Sequence, residues 1–394
     1  MINSKKALNL ILKHSRSFGF ERSEEIGLSS ALGRVLAEKV YSDSDIPSFN
    51  KSSMDGFAIK SEDSSIIFEV IEDIPAGKVP QKVIYYGECA RIMTGGMLPK
   101  GTDMVVPIEN AQEIEKGLIK ILKFPKKTNI SKKGEDVKKG GLILRVGKEI
   151  RPQEIAVMAT AGKTKVKVFK LPKISIVATG SELVEPDQTP NLGQIRNSNS
   201  AMLLAQLKKL GINATYLGIA KDDFEATRRM VEQGMVESDI LILSGGVSVG
   251  DYDFVKDVLI RCGFEIVFDK IAIKPGKPTV FGVKENKYVF GLPGNPVSVF
   301  VVFELFVVPL IDKLTGKRTS DTTEKVPLIG DFDRKNGDRE QYYPVMFIKD
   351  IGALPINFHG SAHLHALTVS NALMHIKKGV KYIKEGTIVN VRPI

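Results

Sequence analysis

Cysteine is scarce in this sequence of 394 residues, and its apolar runs are short. Cys89 and Cys262 lie far apart and form no Cys-x-x-Cys pair, so neither a disulfide framework nor a thiolate metal site is supported, and we expect reduced, buried thiols. The most apolar segment, residues 297–311, is interrupted by Glu304 and Pro309 and falls short of the ~20 apolar residues that cross a bilayer. We therefore expect a buried helix there and no membrane partner. Because residues 1–12 lack the hydrophobic core of a signal peptide, we expect a cytoplasmic protein.

Low-complexity tracts are also missing, and the length predicts several domains, each with its own core. Acidic residues number 46 against 56 lysines and arginines, which gives a net charge of +10. The lysines of residues 123–139 are mixed with Glu135 and Asp136 and have a single aromatic neighbour, Phe124. This pattern favours a solvated basic face over a nucleic-acid groove, so no nucleic-acid partner is expected. A basic cleft would instead concentrate an anionic small molecule.

Hydrophobic patterning divides the chain into four regions. Residues 1–44 with 138–170 predict an N-terminal linking domain of α and β structure, and residues 45–137 carry short apolar runs, among them 83–86, typical of an inserted β-rich domain. In residues 171–318, apolar strands, one of them expected at 266–273, alternate with helical segments. This alternation predicts a doubly wound, mostly parallel α/β domain. Residues 319–394 predict a small C-terminal β domain.

A glycine-rich loop, residues 244–253, follows the strand predicted at 240–243 and precedes a predicted helix. Gly245 and Gly246 would let backbone N–H groups approach a phosphate, with Ser248 beside it. A plain strand-to-helix turn explains the glycines equally well. The loop is not a Walker loop, because no Gly-Lys-Ser/Thr follows.

Carboxylates follow the ends of several predicted strands, namely Glu182, Asp222 and, beyond the glycine-rich loop, Asp253. In a parallel sheet they would meet at one edge and repel one another. Mg²⁺ takes a few carboxylate oxygens, keeps waters and bridges to phosphates, so the set predicts bound magnesium. For Asp222 alone, a helix N-cap is an equally good interpretation.

Two turns stiffened by proline offer further polar groups. Residues 274–278 read Lys-Pro-Gly-Lys-Pro and would hold two ammonium groups on one side of a rigid loop that suits an oxyanion. A solvated, lysine-rich hairpin explains that segment as well. Residues 291–298 end a strand, turn through Pro293 and Pro296, and begin a helix with Ser298 in its first turn.

Three histidines, His359, His363 and His365, cluster near the C-terminus. Their spacing fits no zinc pattern, and we interpret them as surface or loop residues. In the insertion, residues 53–58 and 91–96 each place a small polar residue beside glycine, which turn chemistry explains locally.

Taken together, these segments resemble the MoeA family of molybdopterin molybdenumtransferases, to which the E domain of gephyrin belongs. The resemblance covers essentially the whole chain, and the ordered series of matches is highly specific. The matching segments are residues 32–38, 46–47, 53–56, 91–96, 133–137, 179–183, 193–199, 244–250, 274–278 and 291–298.

The resemblance implies an enzyme that inserts molybdate-derived molybdenum into adenylated molybdopterin, with Mg²⁺-dependent release of AMP. It implies a homodimer of four-domain subunits. In each subunit the α/β domain would be the molybdopterin-binding unit shared with MogA-like adenylyltransferases, and the C-terminal domain would resemble a small β-barrel. It further implies contacts with the molybdopterin adenylyltransferase and with apo molybdoenzymes.

Site residues are carried over from the family position by position. Asp55 and Thr94 would reach the cleft from the partner subunit, and Asp222 and Asp253 would bind Mg²⁺. The implied catalytic residues are Asp55, Thr94, Asp136, Glu182, Asp222 and Asp253. The implied substrate-binding residues are Gly245, Gly246, Ser248, Lys274, Lys277, Pro278, Pro293, Pro296, Ser298, Arg339 and Ser361. Those that would hold molybdate are Lys274, Lys277, Pro278, Arg339 and Ser361.

Two other functions compete with this interpretation. A stand-alone adenylyltransferase would need the α/β domain alone, and the long first and last regions argue against it. A non-enzymatic scaffold predicts fused partner domains or an exposed peptide groove, and this sequence has no extra domain.

Overall fold

The computed structural model describes residues 1–247, 254–317 and 323–394. It forms two compact units. The insertion unit comprises residues 25–32 and 38–166, and the main unit comprises residues 1–24, 33–37 and 167–394. The finer division into four domains stays a prediction.

Helices form where apolar residues recur every three or four positions, so that one face is buried. In the first helix, for example, Ala7 and Ile11 are buried, and the Asn3 side chain caps the N-terminus by accepting the Lys6 N–H. The helices are α1 Ser4–His14, α2 Pro152–Thr160, α3 Ser198–Lys209, α4 Phe224–Glu237, α5 Val255–Arg261, α6 Pro296–Val302 and α7 Val308–Thr315, with a π-helical turn, Phe303–Val307, between the last two.

The insertion unit is built on a six-stranded sheet, whose strands lie side by side in the order Met104–Pro107, Gly56–Ile59, Glu88–Ile92, Ile67–Ile74, Leu118–Ile121 and Ala111–Glu115. Separate apolar clusters around Phe68 and Ile74 pack within it. The strand predicted at 83–86 is wrong, because Val83 forms only an isolated bridge, Ile84 and Tyr85 have irregular backbone, and Tyr86 lies in a turn with Gly87. The strands up to residue 169 are β1 Ser23–Gly27, β2 Val40–Tyr41, β3 Lys51–Ser52, β4 Gly56–Ile59, β5 Ile67–Ile74, β6 Glu88–Ile92, β7 Met104–Pro107, β8 Ala111–Glu115, β9 Leu118–Ile121, β10 Ile130–Ser131, β11 Leu142–Leu144 and β12 Lys165–Phe169.

The α/β part of the main unit has a sheet whose strands lie side by side in the order Thr215–Ala220, Ile174–Thr179, Ile240–Ser244 (β17), Lys287–Leu292, Val280–Lys284 and Glu265–Phe268. Five of these strands run in the same direction, and only Val280–Lys284 is reversed, because it pairs antiparallel with both of its neighbours. Alternate residues of β17 pack into two clusters, one with α3, α6 and α7 and the other with α4 and α5. The multidomain α/β-plus-β prediction is therefore confirmed. The strands are β13 Ile174–Thr179, β14 Leu183–Val184, β15 Ile195–Arg196, β16 Thr215–Ala220, β17 Ile240–Ser244, β18 Glu265–Phe268, β19 Ile273–Lys274, β20 Val280–Lys284 and β21 Lys287–Leu292.

The predicted strand 266–273 is in fact two strands that belong to different sheets. β18 stays in the α/β sheet, whereas β19 pairs in parallel with β24 of the C-terminal sheet, whose order is β19-β24-β26-β28-β22 with β25 beside β24. This pairing joins the lysine loop to the C-terminal region. The remaining strands are β22 Glu324–Pro327, β23 Phe332–Asp333, β24 Glu340–Ile348, β25 Gly352–Pro355, β26 Ala372–Ile376, β27 Tyr382–Ile383 and β28 Ile388–Pro393.

The buried helix and the buried thiols that the sequence predicts are both confirmed. Most side chains of residues 297–311 are buried in the main core, and within the described ranges no helix is both long enough and apolar enough to span a membrane. Cys89 and Cys262 are free and buried, and burial raises the pKa of the Cys89 thiol to about 12.

Candidate functional site

The carboxyl ends of β13, β17 and β21 open into a cleft of about 580 Å³. Its wall includes Thr179, Glu182, Ser244, Gly245 and Pro293. Ligands of open α/β sheets bind at this edge, because loops from neighbouring strands converge there. We call this cavity the strand-end cleft.

Gly245 and Gly246 let β17 end close against β13. Their φ angles are +101° and +63°, and a Cβ atom on Gly245 would lie 2.3 Å from the Thr179 carbonyl oxygen. A side chain at either position would push these two strand ends apart. The predicted Ser248 and Asp253 lie outside the described residues.

Asp222 is tied to the neighbouring strand end by two hydrogen bonds. Its Oδ2 accepts the Ser181 N–H at 2.8 Å, and its own N–H donates to Ser181 Oγ at 3.0 Å. The alternative interpretation as a helix N-cap is wrong, because Asp223 is the N-cap of α4 and accepts the Ala226 N–H. Glu182 is exposed, and its carboxylate lies close to Gly180.

The described residues alone do not assemble a complete metal cluster. Across residues 1–247, 254–317 and 323–394, no three His, Cys, Asp or Glu side chains are close enough to share an ion. Asp222 Oδ1 accepts no hydrogen bond within those ranges, so among the described residues one oxygen of this carboxylate is unpaired. A single protein carboxylate fits Mg²⁺, which keeps most of its waters and uses one or two carboxylates.

A second cavity of about 210 Å³ contains the predicted oxyanion residues. Its described lining includes three cationic side chains and no acidic one, and we call it the cationic pocket. Lys274 and Lys277 are exposed, and neither forms an ion pair within the described part of the chain. The lining residues are Lys274, Pro275, Gly276, Lys277, Pro278, Pro293, Asn295, Ser298, Arg339, Phe358, Gly360 and Ser361.

Buried backbone positions the lysines of this pocket. Pro275 and Gly276 are buried, and Gly276 has a φ of +110°, with space so limited that a Cβ atom would lie 2.6 Å from Val302 Cγ2. Arg339 donates from Nη1 to the Ile273 carbonyl oxygen at 2.9 Å. The chain folds back here, since the Ile271 N–H donates to the Lys277 carbonyl oxygen at 3.0 Å, and both lysines are exposed, so the lysine-rich hairpin stays an alternative interpretation. Ile273–Lys274 also pairs in parallel with β24, which fixes the loop against the C-terminal sheet.

Two asparagines that sequence reasoning missed connect the loops of the site. Asn295 lines both cavities and donates from Nδ2 to Ser361 Oγ at 3.0 Å. Asn199 donates from Nδ2 to Ser244 Oγ at 3.0 Å and to the Gly294 carbonyl oxygen at 2.7 Å. Both could have been identified from the sequence, because each lies within a segment that matches the family, residues 193–199 for Asn199 and 291–298 for Asn295.

Asp55 and Thr94 are brought together in the insertion unit, where β4 and β6 are paired. The Thr94 hydroxyl and N–H both donate to Asp55 Oδ1, at 2.7 and 2.6 Å. The Thr94 hydroxyl first, and its N–H second, hold the pKa of Asp55 below its usual value. Asp136 is exposed in the same unit, and its N–H donates to the Ile46 carbonyl oxygen. Action from a partner subunit stays a prediction for Asp55 and Thr94.

The three histidines are close in sequence to Phe358, Gly360 and Ser361, which line the cationic pocket. The His359 and His363 rings stack at 4.9 Å between centroids, and the His359 N–H donates to His363 Nδ1 at 3.3 Å. His365 lies in a short 3₁₀ turn, Leu364–Thr368. These positions agree with their interpretation as loop residues.

Three family profiles match consecutive parts of the chain. They are described as "MoeA N-terminal region (domain I and II)", over residues 2–162, "Probable molybdopterin binding domain", over residues 175–313, and "MoeA C-terminal region (domain IV)", over residues 331–394.

Whole-length relatives give the same result. A molybdopterin molybdenumtransferase from Staphylococcus epidermidis is 37% identical, covering 99% of this chain and 95% of that protein. One from Staphylococcus aureus is 37% identical over 93% of this chain and 90% of its own length. The crystal structure of a molybdopterin biosynthesis moeA protein from Pyrococcus horikoshii OT3 superposes with a TM-score of 0.86 at 32% identity, covering 100% of both chains.

Proposed function

The chain belongs to the MoeA family of molybdopterin molybdenumtransferases, and on this premise we propose that its two adjoining cavities bind adenylated molybdopterin and molybdate. It is a transferase of molybdenum cofactor biosynthesis. The finer proposal is that molybdenum insertion is coupled to Mg²⁺-dependent release of AMP. The proposal depends on one observation: the described charged side chains of the cationic pocket are all basic, and this pocket shares Pro278, Pro293 and Asn295 with the strand-end cleft.

The charge of the smaller cavity supports molybdate as its ligand. Lys274, Lys277 and Arg339 offer N–H donors without a carboxylate among the described lining residues, and Ser298 and Ser361 add hydroxyl groups. Charge-assisted hydrogen bonds from such donors suit a tetrahedral dianion. The volume of about 210 Å³ admits the oxyanion together with several waters, each of which occupies roughly 30 Å³.

The strand-end cleft suits the larger substrate. Its volume of about 580 Å³ lies in the range of roughly 300 to 1,000 Å³ found for small-molecule sites. Gly245 exposes backbone close to the cleft, and Pro293 and Pro296 stiffen the opposite turn. We assign adenylated molybdopterin to this cleft, with its pyrophosphate directed toward the cationic pocket.

Asp222 Oδ1 and the carboxylate of Asp253 are the proposed magnesium ligands. When bound, the ion neutralises negative charge on the pyrophosphate. We propose that Glu182, which lines the cleft, orients the attacking oxygen of molybdate or of a water beside it. Attack on the adenylate phosphorus breaks the P–O–P link, so the attacking oxygen becomes part of AMP and the bridging oxygen stays on the molybdopterin phosphate. The two dithiolene sulfurs form Mo–S bonds as their protons leave with one molybdate oxygen as water, and molybdenum keeps its oxidation state. Asp55, Thr94 and Asp136 complete the site in a homodimer.

The test is AMP release by the purified protein with adenylated molybdopterin, Mg²⁺ and molybdate. We expect release to require molybdate and Mg²⁺, and to fall by about tenfold or more in Lys277→Ala, since a hydrogen bond to a charged group is worth ~1.5–3 kcal/mol. Lys349→Ala, which removes an exposed lysine outside both cavities, serves as the matched control. AMP release that is indifferent to molybdate would contradict the proposal.

The homodimer is tested by mixing two variants of low activity. If Asp55 acts across subunits, refolding Asp55→Ala with Lys277→Ala produces some mixed dimers in which one site is intact, and activity returns. Size-exclusion chromatography with light scattering measures the assembly. A monomer, or mixed dimers without activity, would refute the shared site.

A further inference from the structure

The Asn295 side chain lies in the wall between the strand-end cleft and the cationic pocket, because it lines both. Its Nδ2 donates to Ser361 Oγ at 3.0 Å. No role for Asn295 follows from the proposed ligand sets, which place Ser361 and the three cations around the oxyanion. The Asn295 amide nevertheless contacts the Ser361 hydroxyl, which the C-terminal region contributes to the described lining of this pocket.

The position of Asn295 on its helix makes that contact unusual. Asn295 is the N-cap of α6, and an N-cap asparagine ordinarily accepts a backbone N–H of the first turn through its side chain. Here the side chain makes no such bond. The Val297 N–H donates instead to the Ser361 carbonyl oxygen at 3.0 Å. The Ser361 backbone thus caps α6, and the Asn295 amide is left to donate to the Ser361 hydroxyl.

This arrangement decides what the Ser361 hydroxyl does. A hydroxyl has a single proton, and an oxygen that already accepts an amide N–H directs that proton elsewhere. Lysine and arginine side chains cannot accept it, because they carry donors alone. Ser361 Oγ donates to none of the described residues, including Ser298, whose hydroxyl also lines the pocket. Among Lys274, Lys277 and Arg339, the natural acceptor is therefore a bound oxyanion.

We infer that Asn295 is a positioning residue for oxyanion binding: by donating to Ser361 Oγ it sets the Ser361 hydroxyl to donate to the oxyanion. The inference rests on the proposed function and adds a residue that acts through Ser361. It also places one side chain in contact with both cavities, where it would link the two ligands.

The experiment is calorimetric titration of molybdate alone into the wild type, Asn295→Ala, Ser361→Ala, the double variant and Asn295→Asp. We expect Asn295→Ala and Ser361→Ala each to weaken binding by about tenfold, and the double variant to be no weaker than Ser361→Ala, because both changes remove the same interaction. Asn295→Asp should bind more weakly than Asn295→Ala, since a carboxylate accepts the Ser361 proton and adds negative charge beside the pocket.

Asn295→Asp separates positioning from a structural role. Aspartate has nearly the same shape as asparagine and is an equally good N-cap, but its charge alone weakens oxyanion binding, so Asn295→Asp is compared in the wild-type and Ser361→Ala backgrounds. Positioning through Ser361 predicts a larger loss in the wild-type background, whereas a structural role predicts equal losses in both. Thermal unfolding of each variant shows whether it folds. If Asn295→Ala does not fold, the inference is tested with Asn295→Asp. Asn3→Ala and Asn3→Asp are matched controls, because Asn3 caps α1 through its side chain and lines neither cavity.

The outcomes distinguish the two proposals. If the wild type does not bind molybdate, the proposed oxyanion site fails and the inference fails with it. If the wild type and Ser361→Ala differ as expected while both Asn295 variants bind like the wild type, the inference alone is overturned. Additive losses in the double variant, or tighter binding by Asn295→Asp than by Asn295→Ala, would also overturn it.

Discussion

Replacing Gly276 by alanine tests whether the lysine loop depends on backbone that glycine alone adopts readily. Gly276 has a φ of +110°, and its Cβ atom would lie 2.6 Å from Val302 Cγ2 and 3.1 Å from Ile273 Cδ1. Backbone in such a region costs an alanine about 1–3 kcal/mol. Overpacking of a buried site costs roughly another 1–3 kcal/mol. We therefore expect Gly276→Ala to lose about 2–6 kcal/mol of unfolding free energy, the sum of these two costs.

The same change should weaken oxyanion binding. The clash is relieved by moving the loop away from α6, which displaces Lys274 and Lys277 together. Gly379→Ala is the matched control, because Gly379 also has a positive φ, +89°, but nothing lies within 4 Å of its Cβ position. It should lose about 1–3 kcal/mol from its backbone alone and keep its molybdate affinity.

Urea unfolding followed by circular dichroism measures stability, and each transition is fitted separately because the chain forms two compact units. Calorimetric titration measures the dissociation constant for molybdate. The reasoning is refuted if Gly276→Ala is no less stable than Gly379→Ala and binds molybdate as the wild type does.

Three further predictions concern titration and reactivity. Thr94→Ala should raise the pKa of Asp55 toward its usual value, so the acid limb of kcat/KM against pH should move to higher pH. Thr94→Ser keeps the hydroxyl and should leave the limb in place. If the limb does not move in Thr94→Ala, ionisation of Asp55 does not control the rate. A hydrogen bond from the Arg151 side chain is the main cause that holds the pKa of Glu154 at about 2, so its contribution to stability is present above about pH 4.5 and is lost as pH falls toward 2. The urea midpoints of the wild type and Glu154→Gln should therefore differ at pH 7 and converge in acid, and a constant difference would contradict this. Cys89 should resist iodoacetamide at pH 8 until urea unfolds the protein, because burial raises its pKa to about 12; rapid alkylation of the native protein, read by mass spectrometry, would show that the thiol is accessible.

Several features of the fold and the site follow from local patterns. Apolar periodicity predicted the α/β sheet and the buried helix after Pro296, and glycine and proline marked the loops at residues 244–247 and 274–278. Predictions from local patterns were wrong where the same residue pattern is compatible with two structures. Residues 83–86 have the composition of a strand, yet only Val83 forms a bridge and the chain turns at Tyr86. Asp222 and Asp223 could each cap a helix, and the choice was made by the contact of Asp222 with Ser181.

The sequence by itself determined the family, the types of secondary structure and the kinds of residues in the site, because periodicity and short motifs act over a few neighbouring residues. Tertiary structure alone decided which of those residues meet. Pairing of β19 with β24 brings Arg339 to the lysine loop, and the amide of Asn295 finds the hydroxyl of Ser361. These contacts join residues more than sixty positions apart. They form because distant segments bury a shared core together, and no local segment contains more than a part of that core.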